Sequence, residues 1–387
     1  MTLHQSLHPA LKRAESRSAL KRAVSRRSTK AAALVAAAAL ALAACSGAQA
    51  SPDDTAGERT TLRYQGSVGQ VLFPELAADL GYYEQVDLEW VGDVTGGPAS
   101  IQAAVTGQTE WGGAFNGAIA KLASTGAPVT SVISYYGTDA LTQGGYYTLE
   151  GSPIRTAKDL IGKKVGVNTL GAQAEAVVRE WLKRGGLTPD EVAKVELVVV
   201  PPVNTEQTLR AGQIDVGALG GVLQDKALER GGITKLFGED DLFGEFAYGT
   251  LIFRDDYIAE HKDAVADFVQ GTARAIRWTQ VTPPDEVRAR LTKIIEGRGR
   301  GENADLVQYW KSSSLPTSGG VIQSDEISTW VDWLVDDGQL TQGQLDPNAL
   351  FTNEFNPYAN GTYAPDAGPD GEPAGQPSAA PSDEATS

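Results

Sequence analysis

Short apolar runs alternate along this chain with stretches whose apolar positions recur every three or four residues. Residues 62–65 (Leu-Arg-Tyr-Gln) and 86–91 read as strands around a helix at 74–80, which carries Pro74 in its first turn, where the missing N–H has no helical partner to lose. Ala174, Val177, Val178, Trp181 and Leu182 fall at i, i+3, i+4, i+7 and i+8, an apolar helical stripe closed by Gly185-Gly186. A strand at 164–167 precedes that helix, and the apolar run 195–200 predicts a strand of the buried, parallel kind after it. Val265, Phe268, Val269, Thr272 and Ile276 make a further helical face, and Ile327, Trp330, Val331 and Leu334 another. Alternation of this kind predicts βαβ units and an α/β fold with parallel sheets.

A weak repeat divides the chain. Gly107-Gln108-Thr109-Glu110-Trp111-Gly112 aligns with Gly212-Gln213-Ile214-Asp215-Val216-Gly217, and the same offset of 105 pairs Lys121 with Lys226 and Gly126 with Gly231. Two similar halves predict two α/β lobes facing each other across a cleft. Residues 61–148 form the first part of lobe 1, 149–248 form lobe 2, and 249–356 return to lobe 1 and supply its C-terminal helices. The strand-like segments 146–149 and 247–253 lead into and out of lobe 2; lying side by side, they would form a two-strand hinge.

The ends of the chain differ in kind. A basic stretch that includes Lys12, Arg13, Arg26, Arg27 and Lys30 runs into fourteen apolar residues, 31–44, too few to span a bilayer and typical of a signal peptide. Leu42-Ala43-Ala44-Cys45 matches a lipobox, so residues 1–44 read as a leader, Cys45 as the lipidated first residue of the mature chain, and 45–60 as a flexible tether. The Arg26-Arg27 pair leaves both the general and the twin-arginine export routes open. Residues 357–387 hold six prolines and no aliphatic side chain larger than alanine, which predicts a disordered tail.

Eight of the 33 basic and one of the 49 acidic residues precede Cys45, which leaves a formal charge of −23 on the rest and argues against nucleic acid as a partner. Cys45 is the sole cysteine, and His261 is the one histidine outside the leader, beside Glu260 and Lys262 at a helix start. No metal-binding or nucleophile-elbow pattern occurs, and the pairs Asp240-Asp241, Asp255-Asp256 and Asp336-Asp337 read as solvated. The expectation is a protein without catalytic residues, metal or cofactor.

In facing α/β lobes, strand ends and helix N-termini line the crevice, where unpaired backbone N–H groups favour an anion without any lysine or arginine. Four segments fit that placement: 65–70 with Gln65, Ser67, Val68 and Gln70; Phe115-Asn116; 168–173 with Asn168, Thr169, Leu170, Gly171 and Gln173; and Gly220-Gly221. Tyr135, Tyr136, Phe115, Phe246 and Tyr248 are expected as aromatic walls, with core packing the alternative for Phe115 and Phe246. Trp181, Trp278 and Trp330 sit on helical stripes and belong to cores.

Several of these segments resemble one known group, the periplasmic-binding-protein-like receptors for aliphatic sulfonates, taurine, nitrate and thiamine pyrimidines. The resemblance rests on Gly81-Tyr82-Tyr83, Ala104-Val105-Thr106-Gly107-Gln108, Gly126-Ala127-Pro128-Val129, Asp159-Leu160-Ile161-Gly162-Lys163-Lys164 and Leu209-Arg210-Ala211-Gly212-Gln213-Ile214-Asp215, within residues 62–355. It implies a type II two-lobed fold, closure about the hinge on a small, anionic organic ligand, and delivery by a monomeric lipoprotein to the permease of an ABC importer at the outer face of the cell membrane. It does not identify the ligand. Relatives with enzymatic activity on the pyrimidine branch resemble proteins with a cysteine-rich motif that this chain lacks. An enzyme on the same fold, such as a pyrimidine synthase or a dehydratase, and a sensory lipoprotein are the alternatives.

Overall fold

The computed structural model describes residues 59–375. The expected leader, the lipidation site Cys45, nearly all of the tether and residues 376–387 of the tail lie outside the described residues.

Lobe 1 begins with β1 (Thr60–Gly66), α1 (Phe73–Asp79) and β2 (Val86–Asp93), followed by α2 (Gly97–Val105), β3 (Trp111–Phe115), α3 (Asn116–Ser124) and β4 (Val129–Thr138). The chain then builds lobe 2 from β5 (Gly145–Leu149), β6 (Lys164–Val167), α4 (Gln173–Arg184), α5 (Pro189–Val192), β7 (Glu196–Val199), α6 (Pro202–Arg210), β8 (Val216–Leu219), α7 (Gly221–Glu229), β9 (Ile233–Gly238) and α8 (Asp240–Phe243). It returns through β10 (Phe246–Arg254) and ends in α9 (Asp255–Glu260), α10 (Lys262–Val281), α11 (Pro284–Gly297) and α12 (Ser324–Asp336).

The repeat seen in the sequence is structural. α2, β3 and α3 start at residues 97, 111 and 116, and α6, β8 and α7 start 105 residues later, at 202, 216 and 221. In lobe 1, β10 runs antiparallel between β3 and β4; in lobe 2, β5 runs antiparallel between β8 and β9, extending the order β7-β6-β8-β5-β9. Each lobe therefore takes one interior, antiparallel strand from a chain that has just left the other lobe. The parallel pair β1-β2 flanks β3, with the Glu110 amide donating to the Arg63 carbonyl at 3.1 Å. Separate apolar cores hold the lobes: Leu62, Leu76, Val265 and Phe268 in the first, Leu160, Val165, Val177, Leu182 and Val216 in the second.

Three expectations need correction. The run 195–200 does form a parallel strand, but β7 is an edge strand with Val199 54% exposed, because apolar composition does not report whether a strand has one neighbour or two. The segments 146–149 and 247–253 are strands, yet they pair in different sheets. The chain crosses between lobes twice, at 139–144 and 239–245, between the pairs Thr138–Phe246 and Gly145–Gly238. Finally, the tail is ordered from 357 to 375. Tyr358 and Tyr363 supply the apolar area that the aliphatic count lacked, Tyr358 is 4% exposed, and Arg277 of α10 donates to the Ala367 carbonyl at 2.7 Å.

Candidate functional site

A cavity of about 560 Å³ lies between the lobes and is lined by residues of both. Lobe 1 contributes the loop 67–73, Phe115, the end of β4 and the segment 309–314; lobe 2 contributes Asn168, the start of α4, the start of α7 and Glu239. Helix beginnings converge here because each βα unit places its strand end and the following helix N-terminus on the same side of the sheet. Gly97 of α2, Gln173 of α4 and Gly221 of α7 all reach the wall.

Nine of the expected residues come together at this wall: Ser67, Gln70, Phe115, Tyr135, Tyr136, Asn168, Gln173, Gly220 and Gly221. The others are placed elsewhere. Val68 and Leu170 are exposed, Gln65 remains on β1, and Thr169 faces Gly96 of lobe 1, where a Cβ would stand 3.2 Å from its Cγ2. Gly171 borders a separate pocket of about 130 Å³. Asn116 is buried and structural: its amide donates to the Glu326 carbonyl at 3.0 Å and its oxygen accepts from Thr250 at 3.0 Å. Phe246 and Tyr248 pack with Trp330 inside lobe 1, because β10 is a central strand covered on both faces.

Adjacent strand residues normally point to opposite faces, yet Tyr135 and Tyr136 both line the cavity. A register shift explains this. Gly249 pairs with Tyr136 and the next residue, Thr250, with Ser134, so Tyr135 is the extra residue of a bulge. The rings meet edge to face at 4.9 Å, and a Cβ on Gly113 would stand 2.9 Å from Tyr135 Cζ, so that glycine makes room for the ring.

The sequence did not disclose Glu239. It begins the second crossing, where its amide donates to the Gly144 carbonyl at 3.0 Å. Its carboxyl accepts from Gln173 Nε2 of lobe 2 at 2.7 Å and from Thr138 Oγ1 of lobe 1 at 3.2 Å. Burial pushes this carboxyl up to about 7, and burial does the same to Glu326 in the first turn of α12. A carboxyl raised in the folded state favours folding while protonated, and that contribution is lost as pH rises through about 7. Stability is therefore expected to fall between about pH 5.5 and pH 8.5, with a smaller fall in Glu239→Gln. Urea unfolding of both proteins at the two pH values checks this; equal falls would contradict the assignment to Glu239.

Beside the first crossing, where Ser312 bonds Thr142 and Asp139, two further contacts join the lobes. Lys311 Nζ lies 2.6 Å from Asp225 Oδ1 of α7, and the Tyr309 hydroxyl donates to Glu229 at the end of the same helix. On another side, Lys183 of α4 reaches Asp336 of α12 at 2.9 Å. Lys183, Asp336 and Lys311 are well exposed, so Lys311→Ala is expected to change stability by less than about 1 kcal/mol. It is expected to loosen the lobes, seen as a larger radius of gyration in solution scattering.

A family model described as NMT1/THI5 like matches residues 73–286. No curated protein sequence matches the chain. Among solved structures, the chain is similar to the periplasmic aliphatic sulphonate binding protein SsuA from Escherichia coli at 18% identity and TM-score 0.59, covering 76% of this chain and 92% of that one. It is also similar to the periplasmic nitrate-binding protein NrtA from Synechocystis PCC 6803, at 12% identity and TM-score 0.56, covering 77% and 87%. The desulfurization enzyme DSZB shares the fold at 17% identity and TM-score 0.52, covering 77% and 97%. These likenesses establish the periplasmic-binding-protein fold, with two α/β lobes.

Proposed function

We propose, from the premise that this chain belongs to the NMT1/THI5-like family, that it is the extracytoplasmic solute receptor of an ABC importer. It would be a monomer held at the outer face of the membrane by lipid on Cys45. The observation that carries this reading is the cavity of about 560 Å³ between two lobes joined by two short crossings, a volume in the range of small-molecule sites. Closure of the lobes captures the solute, and the closed form delivers it to a permease. Among the described residues no helix is long and apolar enough to cross a membrane. What relatives at 12–18% identity bind does not fix the charge of this solute.

The likeness to DSZB supports a second reading, an enzyme on the same fold. Against it, the cavity wall contains no histidine or cysteine to act as base or nucleophile, and its one lysine is engaged by Asp225. A thermal-shift screen of the purified chain against sulfonates, nitrate, taurine, pyrimidines and organic amines separates the readings. A receptor gains midpoint with one chemical class and returns that compound unchanged, since a ligand bound only by the folded state stabilises it. Conversion of the bound compound, followed by mass spectrometry, would establish the enzyme instead.

A further inference from the structure

We infer that the cleft selects an organic cation, a compound presenting an ammonium or amidinium nitrogen towards Glu239, over an organic anion of the same size. The inference rests on the receptor reading above and names the class of solute. It reverses the expectation drawn from helix N-termini, and the reason lies in the side chains around them.

The cationic group on the cavity wall is Lys311, and Asp225 holds it at 2.6 Å. Glu239, by contrast, has hydrogen-bond donors but no cationic partner among the described residues; the neighbouring Lys235 is committed to Asp240 at 2.9 Å. The positive end of α4 is already answered within the chain. The Gly171 amide, just before the helix, donates to Glu175 at 2.8 Å, and Gln173 in the first turn donates to Glu239 at 2.7 Å. α7 carries Asp225 in its second turn. A ligand anion would therefore find the field of α4 partly cancelled, and would meet a buried carboxyl with no cation to offset it.

A cation meets the opposite conditions. Glu239 offers acceptor capacity beyond its two side-chain donors, since a carboxylate has about four lone-pair sites. Phe115, Tyr135, Tyr136 and Trp310 place aromatic rings on the cavity wall, and the faces of such rings attract ammonium and amidinium groups through their quadrupoles. The formal charge of −23 on the chain after the leader draws cations towards the cleft from a distance.

Three probes with one ring and different charge test this on the purified full-length chain: benzamidinium, benzamide and benzoate. Calorimetric affinities are expected in that order, with benzamidinium at least about tenfold tighter than benzoate. In Glu239→Gln the benzamidinium-to-benzoate ratio is expected to fall towards one. A benzoate-first order, or an undiminished ratio in a folded Glu239→Gln protein, overturns the assignment of charge and leaves a receptor. No binding of any probe overturns the assignment as well. Should Glu239→Gln fail to fold, the order in the unmodified chain decides. Lobes that move for no solute would overturn the receptor reading itself, independently of these three affinities.

Discussion

Gly220→Phe is expected to abolish solute capture while leaving the fold intact. Gly220 precedes α7 with φ −152°, extended backbone open to any residue, and a Cβ there would find its nearest heavy atom, Gly144 Cα, at 4.0 Å. The residue lines the cavity, so a benzyl side chain takes volume from the solute rather than from the core. Losing glycine at the helix cap costs about 1 kcal/mol, a shift of a few degrees in melting midpoint for a chain of this size. Affinity for any solute found in the screen is expected to weaken at least about 100-fold, or roughly 2.7 kcal/mol. Calorimetry beside a melting curve reads both quantities, and unchanged affinity in a folded variant would mean that solute binds elsewhere.

Trp330→Ala is expected to produce the largest loss of stability, about 3–5 kcal/mol. Trp330 is 0% exposed at the centre of an aromatic cluster, 4.6 Å from Phe115 and 5.0 Å from Phe243 between ring centres. It ties α12 to the start of α3 and to β10, so its removal leaves a void that three elements share. Phe115 is also cavity wall, and the same variant is expected to weaken solute binding by loosening that wall. The indole N–H makes no hydrogen bond within the described residues, so Trp330→Phe loses area but no bonded pair and is expected to cost less than half as much. Urea unfolding of the two variants compares them; equal losses would show that packing volume is not what Trp330 supplies.

Much of the fold was legible because its signals are local. The stripe from Ala174 to Leu182 becomes α4, and the 105-residue offset reappears in the starting positions of three pairs of elements. Loops were legible for the same reason: a glycine or asparagine after an apolar run marks a strand end wherever it occurs. Sheet position was not. Residues 195–200 and 246–254 are both apolar, yet one forms an edge strand and the other a central one, and this decides that Phe246 and Tyr248 are core rather than wall.

The least legible features join residues distant in sequence. Lys311 and Asp225 are 86 positions apart and meet because a loop of lobe 1 folds over α7. Glu239 stands in a plain acidic run with Asp240 and Asp241 and differs from them by facing inward at a chain crossing. The bulge that turns Tyr135 and Tyr136 to one side has a trace in Gly249, but that trace has meaning only once β10 is known to lie against β4.

The distance between the lobes is the most direct quantity to follow. Probes at Thr125 and Arg230, the C-terminal caps of α3 and α7, sit at the far ends of helices that both start at the cleft. Pulsed electron resonance is predicted to give a broad, longer distance in Lys183→Ala/Lys311→Ala, and a single shorter one when a bound solute is added to the unmodified chain. One fixed distance, the same in all these samples, would contradict a molecule that works by shutting.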